Sequence, residues 1–230
     1  MEERQRCLKE LAVFSRLNWD EVKLICEKAY EKKYLKDEVI FFERNDDDKL
    51  YILVAGRVKL SLLSPDGKEK SLTILQEGDI FGEISLFAQD AHPMTAEVIE
   101  DARLVIISLA DLESIIMKNP GVAIKIIEAL AKKSRLLTSQ IRELVFQDAE
   151  GRLASLLLRF ADEFGVRVKS GQMIDIVLTH QEIANLLGAS RVTVTKLLNR
   201  LTDEGIIKKY KRKIVIIKRS KLEEKIEIYK

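Results

Sequence analysis

Six short apolar runs separated by turn-forming clusters dominate the stretch between Lys33 and Ser108. The runs are rich in β-branched and aromatic residues: V-I-F-F, L-Y-I-L-V, R-V-K-L-S-L-L, L-T-I-L, A-E-V-I and L-V-I-I-S. The clusters are N-D-D-D, A-G, S-P-D-G, E-G-D and E-D-A. Short strands at this regular spacing are typical of a small antiparallel barrel or sandwich. A barrel of this kind can hold one small ligand.

A long helical stretch is predicted from Asn119-Pro120-Gly121, where the proline stops the preceding helix, to about Val145. Its seam positions alternate between three- and four-residue steps: Ile127, Leu130, Ser134, Leu137, Ile141 and Leu144. This is the spacing of a two-stranded coiled coil, so it predicts a parallel homodimer. The alternative is one amphipathic helix packed on its own domain, because the repeat is shorter than the usual coiled coil.

A further amphipathic helix is predicted after a hinge at about Asp148, and Gly165 is expected to end it. Two short strands turning at Ser170-Gly171 come next. Near the C-terminus the string I-I-K-K-Y-K-R-K-I-V-I-I-K is predicted to form a basic hairpin. Helices followed by such a hairpin form a winged helix-turn-helix.

The stretch from Thr179 to Leu201 has the signals of two helices joined by a tight turn. Thr179 and Glu182 form a capping box, which marks the start of the first helix. Gly188 can adopt the left-handed conformation that a turn between helices requires. Ser190 then caps the second helix.

In a helix-turn-helix, the second helix enters the major groove of DNA and presents its N-terminal residues to base edges. The residues predicted to face the core are Val194, Leu197, Leu198 and Leu201. Those predicted to face outward are Arg191, Val192, Thr195, Lys196 and Arg200. An arginine can donate two hydrogen bonds to guanine, and a valine can pack on a thymine methyl group. The alternative is an ordinary surface pair of helices with solvated charges.

Charge is distributed unevenly along the chain, although the formal net charge of its 230 residues is only +2. Residues 1–120 have 17 Lys and Arg against 24 Asp and Glu, a net charge of −7. Residues 149–230 have 17 against 10, a net charge of +7. The basic C-terminal third is therefore expected to meet a polyanion.

Several classes of protein do not fit this sequence. No apolar run approaches the length of a membrane helix, and the start M-E-E-R-Q-R is not a signal peptide, so a cytoplasmic protein without membrane contact is predicted. Cys7 and Cys26 are too few for a disulfide framework or a metal cluster, and His92 and His180 are isolated from each other. No nucleophile, base and orienting acid cluster in a pattern that predicts an enzyme.

Two motifs resemble those of the Crp/Fnr family of bacterial regulators. Q-E-I-A-x-x-x-G-x-S-R-x-T-V followed by L-x-x-L is similar to the family's helix-turn-helix, and E-G-D-I-F-G-E-I-S-L-F resembles its phosphate-binding cassette. The resemblance implies an α+β chain in three parts. They are an effector-sensing, cyclic-nucleotide-binding-like β-barrel of jelly-roll type (1–118), a central dimerisation helix (119–147) and a winged helix-turn-helix DNA-binding domain (148–230). A small effector in the barrel would control binding of the dimer to a palindrome.

The helix pattern and the resemblance together assign three sets of residues. The DNA-binding set is Thr179, His180, Gln181, Ser190, Arg191, Val192, Thr193, Thr195, Lys196, Arg200, Lys211 and Lys213. The effector-binding set is Phe81, Gly82, Glu83, Ile84, Ser85, Met94, Thr95, Leu137 and Thr138. The dimer set is the six seam positions of the central helix.

The effector is left open because the cassette departs from the family pattern at Met94. Members that bind cyclic nucleotides have an arginine there, which pairs with the cyclic phosphate, and a methionine cannot neutralise a phosphate. Read without gaps, Leu137-Thr138 falls on the Thr-Ser pair with which family members contact adenine, while Thr138-Ser139 lies one residue further on. The resemblance therefore implies that half of that contact is kept. Cyclic AMP, an unidentified effector in the same pocket, and an effectorless or redox-tuned regulator remain as alternatives. The four cysteines of the oxygen-sensing branch and the cassette histidine of the haem-binding branch are both missing.

The string R-V-T-V-T-K is most similar to R-V-T-V-T-R of the family's nitrogen-control branch, which reads half-sites of GTA type. The resemblance therefore implies an operator of the form GTA-N8-TAC, rather than the TGTGA type. RNA polymerase is a further expected partner if the protein activates transcription. The rival hypothesis is a ligand-binding module that acts through protein partners instead of DNA.

Overall fold

A computed structural model of the protein describes residues 8–10, 18–88 and 90–227. The chain divides into two compact units, one ending at Ser134 and the other beginning at Arg135. The division falls inside the central helix, whereas domain boundaries were predicted after residues 118 and 147; those boundaries stay predictions. Among the described residues, no helix is long and apolar enough to cross a lipid bilayer.

The first unit is rich in antiparallel strands. Its elements are α1 (Trp19–Lys28), β1 (Tyr30–Tyr34), β2 (Val39–Phe41), β3 (Lys49–Leu63), β4 (Glu69–Leu75), β5 (Ile80–Phe81), α2 (Glu83–Ala88), β6 (Thr95–Ser108), α3 (Leu109–Lys118) and the start of α4 (Pro120–Phe146). The strands form one sheet in the order β1-β6-β3-β4, with β2 paired to β6 and β5 paired to β3. The predicted α+β class is confirmed, but these pairings do not close into a barrel.

Two of the predicted turns are bulges within long strands. The A-G cluster lies inside β3 and the E-D-A cluster lies inside β6, and the register between the two strands shifts there. Gly56 has φ +86°, and a Cβ atom at this position would lie 2.2 Å from the carbonyl oxygen of Asp101. Only glycine permits this close approach of the two backbones, so the bulge bends the strands without ending them.

Apolar side chains cover both faces of the sheet. Leu50 and Ile52 pack with α1, α3 and the first turns of α4, where Val122 and Ile126 are buried. Tyr51 and Leu53 point to the opposite face and pack in a second cluster. Alternation along the strand therefore separates two cores. Cys26 is buried in the first core, and Cys7 lies outside the described residues.

The central helix α4 begins at Pro120, as predicted, and the side chain of Asn119 accepts a hydrogen bond from the Gly121 amide at 3.0 Å. It ends at Phe146, one residue beyond the predicted end. Asp148 then caps the next helix, with its Oδ1 accepting a hydrogen bond from the Gly151 amide at 2.8 Å. The predicted break at Asp148 is therefore confirmed.

The second unit combines helices with a four-stranded sheet. Beyond α4 its elements are α5 (Ala149–Phe164), β7 (Gly165–Val168), β8 (Gly171–Ile174), α6 (His180–Leu187), α7 (Arg191–Asp203), β9 (Ile207–Tyr210), β10 (Lys213–Ile216) and α8 (Arg219–Glu227). The two predicted hairpins join into one sheet in the order β7-β8-β10-β9. The sequence analysis did not predict α8, which is tied to α5 by ion pairs between Arg219 and Asp162 (2.7 Å) and between Lys225 and Glu150 (2.6 Å).

Candidate nucleic-acid interface and effector pocket

The predicted DNA-reading helix pair, called the reader below, consists of α6 and α7. Both helices begin and end where the sequence indicates. The side chain of Thr179 accepts a hydrogen bond from the Glu182 amide at 3.2 Å, and the Glu182 carboxylate accepts one from the Thr179 amide at 2.6 Å. Gly188 adopts the left-handed conformation, with φ 66° and ψ 42°. Ser190 caps α7 by accepting a hydrogen bond from the Thr193 amide at 3.0 Å. The predicted capping box, turn and second cap are all confirmed.

One face of α7 is buried against the rest of the second unit. Val194, Leu197, Leu198 and Leu201 are buried, as predicted, together with Ile183, Ala184 and Leu187 of α6. Each such side chain contributes about 1.5–3 kcal/mol by leaving water. This burial decides which side of α7 faces solvent.

The first turns of α7 form an exposed, positively charged surface. Arg191 and Lys196 are exposed, and no carboxylate of the described residues lies within ion-pairing distance of either. Val192 lies between them in sequence and is 64% exposed. Exposure of a valine to water is unfavourable, whereas a valine beside two unpaired cations is well suited to contact base edges. The face is therefore chemically able to read DNA.

Other residues of the predicted DNA-binding set have partners inside the protein. Arg200 pairs with Glu150 at 2.7 Å, and Lys213 pairs with Asp175. Arg200 is exposed, as predicted, and its pairing with Glu150 of α5 is a contact that sequence spacing alone does not reveal. The roles of both residues in DNA binding stay predictions.

The smaller polar residues of the predicted DNA-binding set form hydrogen bonds within the helix-turn-helix. Thr193 shares a hydrogen bond with the Ser190 hydroxyl at 2.8 Å, and Gln181 donates to Asn185 at 2.8 Å. Thr195 is half-buried rather than fully outward, and its hydroxyl is 2.8 Å from Nδ1 of His180. These contacts link the cap, the first helix and the second helix.

The wing is the hairpin of β9 and β10, which turns at Lys211-Arg212. Both residues have positive φ, 45° and 65°. Two consecutive residues in this region form the tight two-residue turn that suits a twisted hairpin. Sequence reasoning selected Lys211 but missed Arg212, although the length of the hairpin loop would have indicated it. The tip thus places two adjacent cations on a two-residue turn.

In the first unit, the cassette residue Glu83 is only 3% exposed and begins α2. Lys133 of α4 donates to both of its carboxylate oxygens, at 2.8 and 2.9 Å. Sequence reasoning missed Lys133, although it lies one helical turn before the predicted effector residue Leu137. The preceding Gly82 has φ +83°, and a Cβ there would lie 2.5 Å from the carbonyl oxygen of Lys49. The cassette backbone is therefore closely packed.

The rest of the predicted effector set is divided between core and surface. Phe81 is buried and stacks on Tyr51 with ring centroids 5.1 Å apart. Ser85 is buried and donates to the carbonyl oxygen of Asp47 at 3.2 Å, whereas Ile84 is exposed. Leu137 and Thr138 belong to the second unit, and their part in the pocket stays a prediction.

The loop that carries Met94 is lined with apolar groups. Met94 packs against the apolar cluster of Phe41 and Tyr51, and the Thr95 hydroxyl accepts a hydrogen bond from the Glu43 amide at 3.0 Å. The adjacent His92 is buried and stacks on Phe41 at 3.6 Å, and burial lowers its pKa. This surrounding is apolar where a cyclic phosphate would require a cation. Among the described residues, no group of three or more His, Cys, Asp or Glu is arranged to hold a metal ion.

The chain matches the cyclic nucleotide-binding domain family over residues 31–119 and the Crp-like helix-turn-helix domain family over residues 151–225. It is 30% identical over 209 residues to the CRP-like cAMP-activated global transcriptional regulator of Mycobacterium tuberculosis. The matched region covers 91% of this chain and 93% of that protein. The chain belongs to the Crp/Fnr family. It is also 30% identical to the global nitrogen regulator of Nostoc sp., with 80% of this chain and 83% of that protein covered. A solved structure of a CooA mutant from Carboxydothermus hydrogenoformans has a TM-score of 0.76 and 27% identity, covering 88% and 89% of the two chains.

Membership of the Crp/Fnr family shows that the protein is a DNA-binding transcription regulator. It also confirms the prediction that the chain is not an enzyme, because its relatives are regulators. The surface around Arg191 lies in the matched helix-turn-helix region, and the pair of Glu83 and Lys133 includes a residue of the matched nucleotide-binding region. Which individual residues contact DNA or an effector stays a prediction.

The long helix of this Crp/Fnr regulator leaves most of its predicted seam uncovered. Ile127, Leu137, Ile141 and Leu144 are 45–62% exposed, and Ser134 is also exposed. Leu130 differs, because it is half-buried against the first core. The alternative of a helix packed entirely on its own domain therefore holds only for its first turns.

Replacing Lys133 with Ala is expected to destabilise the first unit by about 3 kcal/mol, because it leaves a buried carboxylate without its cation. Urea unfolding followed by the fluorescence of Trp19, the only tryptophan, measures this. Lys132→Ala is the matched control: the Lys132 side chain is exposed and lies 3.9 Å from Asp79, so a change within about 0.5 kcal/mol is expected. Equal effects of the two substitutions would show that the pair of Glu83 and Lys133 is not stabilising.

Proposed function

We propose that the protein is a homodimeric regulator that reads a palindromic operator with α7 and responds to a small effector other than cyclic AMP. The observation that carries the proposal is the exposed face of Arg191, Val192 and Lys196, which is held outward by a fully buried opposite face. In a helix-turn-helix, this part of the second helix meets base edges. Residues 149–230 have a net charge of +7, and this charge attracts the phosphates of DNA.

The dimer is supported by the uncovered seam of α4. A helix of 27 residues is about 40 Å long, and its second half exposes Leu137, Ile141 and Leu144 along one line. Val145 and Phe146, at the end of the helix, are also apolar and exposed. A contiguous apolar surface of this kind usually marks an interface, and a second copy of α4 offers a complementary seam. Two-fold symmetry of the protein would then require a palindrome with half-sites about 34 Å apart.

The half-site is proposed to be of GTA type. Arg191 is suited to guanine and Val192 to the thymine methyl group, while Lys196 can reach a base or a phosphate. The likeness to the Nostoc global nitrogen regulator supports a nitrogen-control type of reader. The rival hypothesis of a module that acts only through protein partners does not account for the unpaired cations on α7.

The effector is proposed to bind near Glu83 without the phosphate contact of a cyclic nucleotide. Met94 brings no charge, and the charge of Lys133 is already used by Glu83. Lys133 therefore does not replace the missing arginine. The M. tuberculosis relative is named as cAMP-activated, but in this chain Met94 occupies the position where the resemblance places the cation for the cyclic phosphate. An effectorless or redox-tuned regulator is the alternative, and absence of any ligand from protein purified from its cells would favour it.

Binding to a duplex containing GTA-N8-TAC tests the reader, with fluorescence anisotropy as the measurement. Arg191→Ala is expected to weaken specific binding by about 1–3 kcal/mol and to relax preference at one base pair. Lys211→Ala serves as the matched control, because loss of a phosphate contact weakens binding to all sequences and lowers its salt dependence. Equal affinity of the wild type for the palindrome and a scrambled duplex would contradict the proposal, and unchanged sequence preference in Arg191→Ala would contradict the proposed docking.

Replacing Ile141 with Lys is expected to give monomers, because two like charges would meet in the seam. Light scattering after gel filtration measures the mass. Met117→Lys provides the control, since Met117 is equally apolar and 84% exposed but lies on α3, away from the seam. A dimer that persists in Ile141→Lys at micromolar concentration would place the interface elsewhere.

Calorimetry with cyclic AMP is expected to show no submicromolar affinity for the wild type. Met94→Arg is expected to tighten cyclic AMP binding by about tenfold or more, because a charged hydrogen bond to the phosphate contributes about 1.5–3 kcal/mol. Submicromolar binding by the wild type would refute the argument from Met94.

A further inference from the structure

His180 connects the two helices of the reader through Thr195. It occupies the first position of α6, and its Nδ1 lies 2.8 Å from the Thr195 hydroxyl oxygen. Thr195 in turn donates to the carbonyl oxygen of Arg191 at 2.9 Å. A short chain of hydrogen bonds therefore runs from α6 to the backbone of the residue proposed to read guanine.

These hydrogen bonds fit one tautomer of His180. A hydroxyl group has one proton, and when Thr195 gives it to the Arg191 carbonyl, the hydroxyl oxygen accepts from His180. In that arrangement Nδ1 carries a proton in either charge state. In the neutral ring Nε2 has only a lone pair, whereas in the imidazolium it is a donor. Protonation thus changes the chemistry of Nε2 and leaves the bridge to Thr195 intact.

His180 lines a cleft of about 330 Å³ between the start of α6 and the wing, whose lining is partly aliphatic and includes the cations Lys209, Arg212 and Lys213. Cations surround it from each element packed there: Lys209 from β9, Arg191 from α7, and Arg212 and Lys213 from the wing turn and β10. Among these cations, Lys213 is paired with the carboxylate of Asp175. Glu182 lies on the same helix, and its carboxylate is occupied by the Thr179 amide.

Burial and the charges of Lys209 and Arg191 lower the pKa of His180 below its ordinary value. The neutral ring is therefore favoured at pH 7 in the free protein. A phosphate entering the cleft would reverse the local field, since a nearby anion favours the imidazolium. The thermodynamic consequence is uptake of a proton when the anion binds.

We propose that His180 takes up a proton when the protein binds DNA and donates a hydrogen bond from Nε2 to a backbone phosphate in this cleft. The inference rests on the proposed binding of α7 to DNA and adds a pH dependence to it. Because the proton is bound more tightly in the complex, affinity is highest below the pKa of the free protein. It decreases as the pH rises through the pKa of the complex, and it is constant outside that window.

The test measures affinity for the GTA-N8-TAC duplex by fluorescence anisotropy from pH 6 to pH 8 at constant ionic strength. The full-length wild type is expected to bind about three- to sixfold more tightly at pH 6 than at pH 8, because a rise of about one pKa unit on binding gives its full tenfold effect only well below the pKa of the free protein. His180→Asn keeps a donor in the position of Nδ1 but cannot titrate. This variant is expected to bind with the wild-type affinity of pH 8 at every pH. His180→Ala, which also loses the bridge to Thr195, is expected to bind more weakly than His180→Asn.

Each other result has a definite meaning. A wild-type affinity that does not change with pH would overturn the inference while leaving DNA binding in place. A pH dependence that survives in His180→Asn would also overturn it and would point to His92, the only other histidine. Absence of DNA binding at every pH would overturn the proposed function together with the inference. Circular dichroism of each variant at both pH limits confirms that folded proteins are compared.

Discussion

The arrangement of the proposed reader depends on the burial of one apolar face of α7. Val194, Leu198 and Leu201 are almost fully withdrawn from water, and rotating the helix by a quarter turn would expose them at a cost of several kcal/mol. The helix therefore has a single orientation. Arg191 and Val192 need no contacts of their own to face solvent, because the packing on the other side places them there. Apolar packing inside the protein thus determines which side chains of α7 are placed to contact DNA bases.

Local signals in the sequence predicted most of this unit. The capping box at Thr179, the left-handed Gly188 and the cap at Ser190 depend on residues within a few positions of each other, and all three are present. Features set by distant parts of the chain were not predictable in this way. Arg200 finds Glu150 fifty residues away, and α8 is held on α5 by pairs such as Arg219 with Asp162. The spacing of apolar residues in the sequence gives no information about such contacts.

The first unit shows the same division between local and distant effects. Alternation of apolar residues indicated strands, but it did not show that A-G and E-D-A are bulges within two long strands, since that depends on how β3 and β6 pair. The cassette was recognised from its letters, and the departure at Met94 was visible as well. Lys133 was missed because only the fold brings α4 beside Glu83. This contact changes how the pocket is understood, because the charge of Lys133 is used by Glu83 and does not substitute for the absent arginine.

The wing turn at Lys211-Arg212 contains no glycine although both residues have positive φ. Such backbone conformations cost about 1 kcal/mol or more for residues with a Cβ atom, and an Asn-Gly pair would form the same turn with less strain. That pair would also remove two positive charges from the edge of the cleft that His180 lines. Folding stability and attraction to a polyanion are therefore opposed at these two positions, and the chain has the composition that favours attraction. Substitutions that improve the thermal stability of the hairpin are thus the ones most prone to weaken the DNA binding proposed for it.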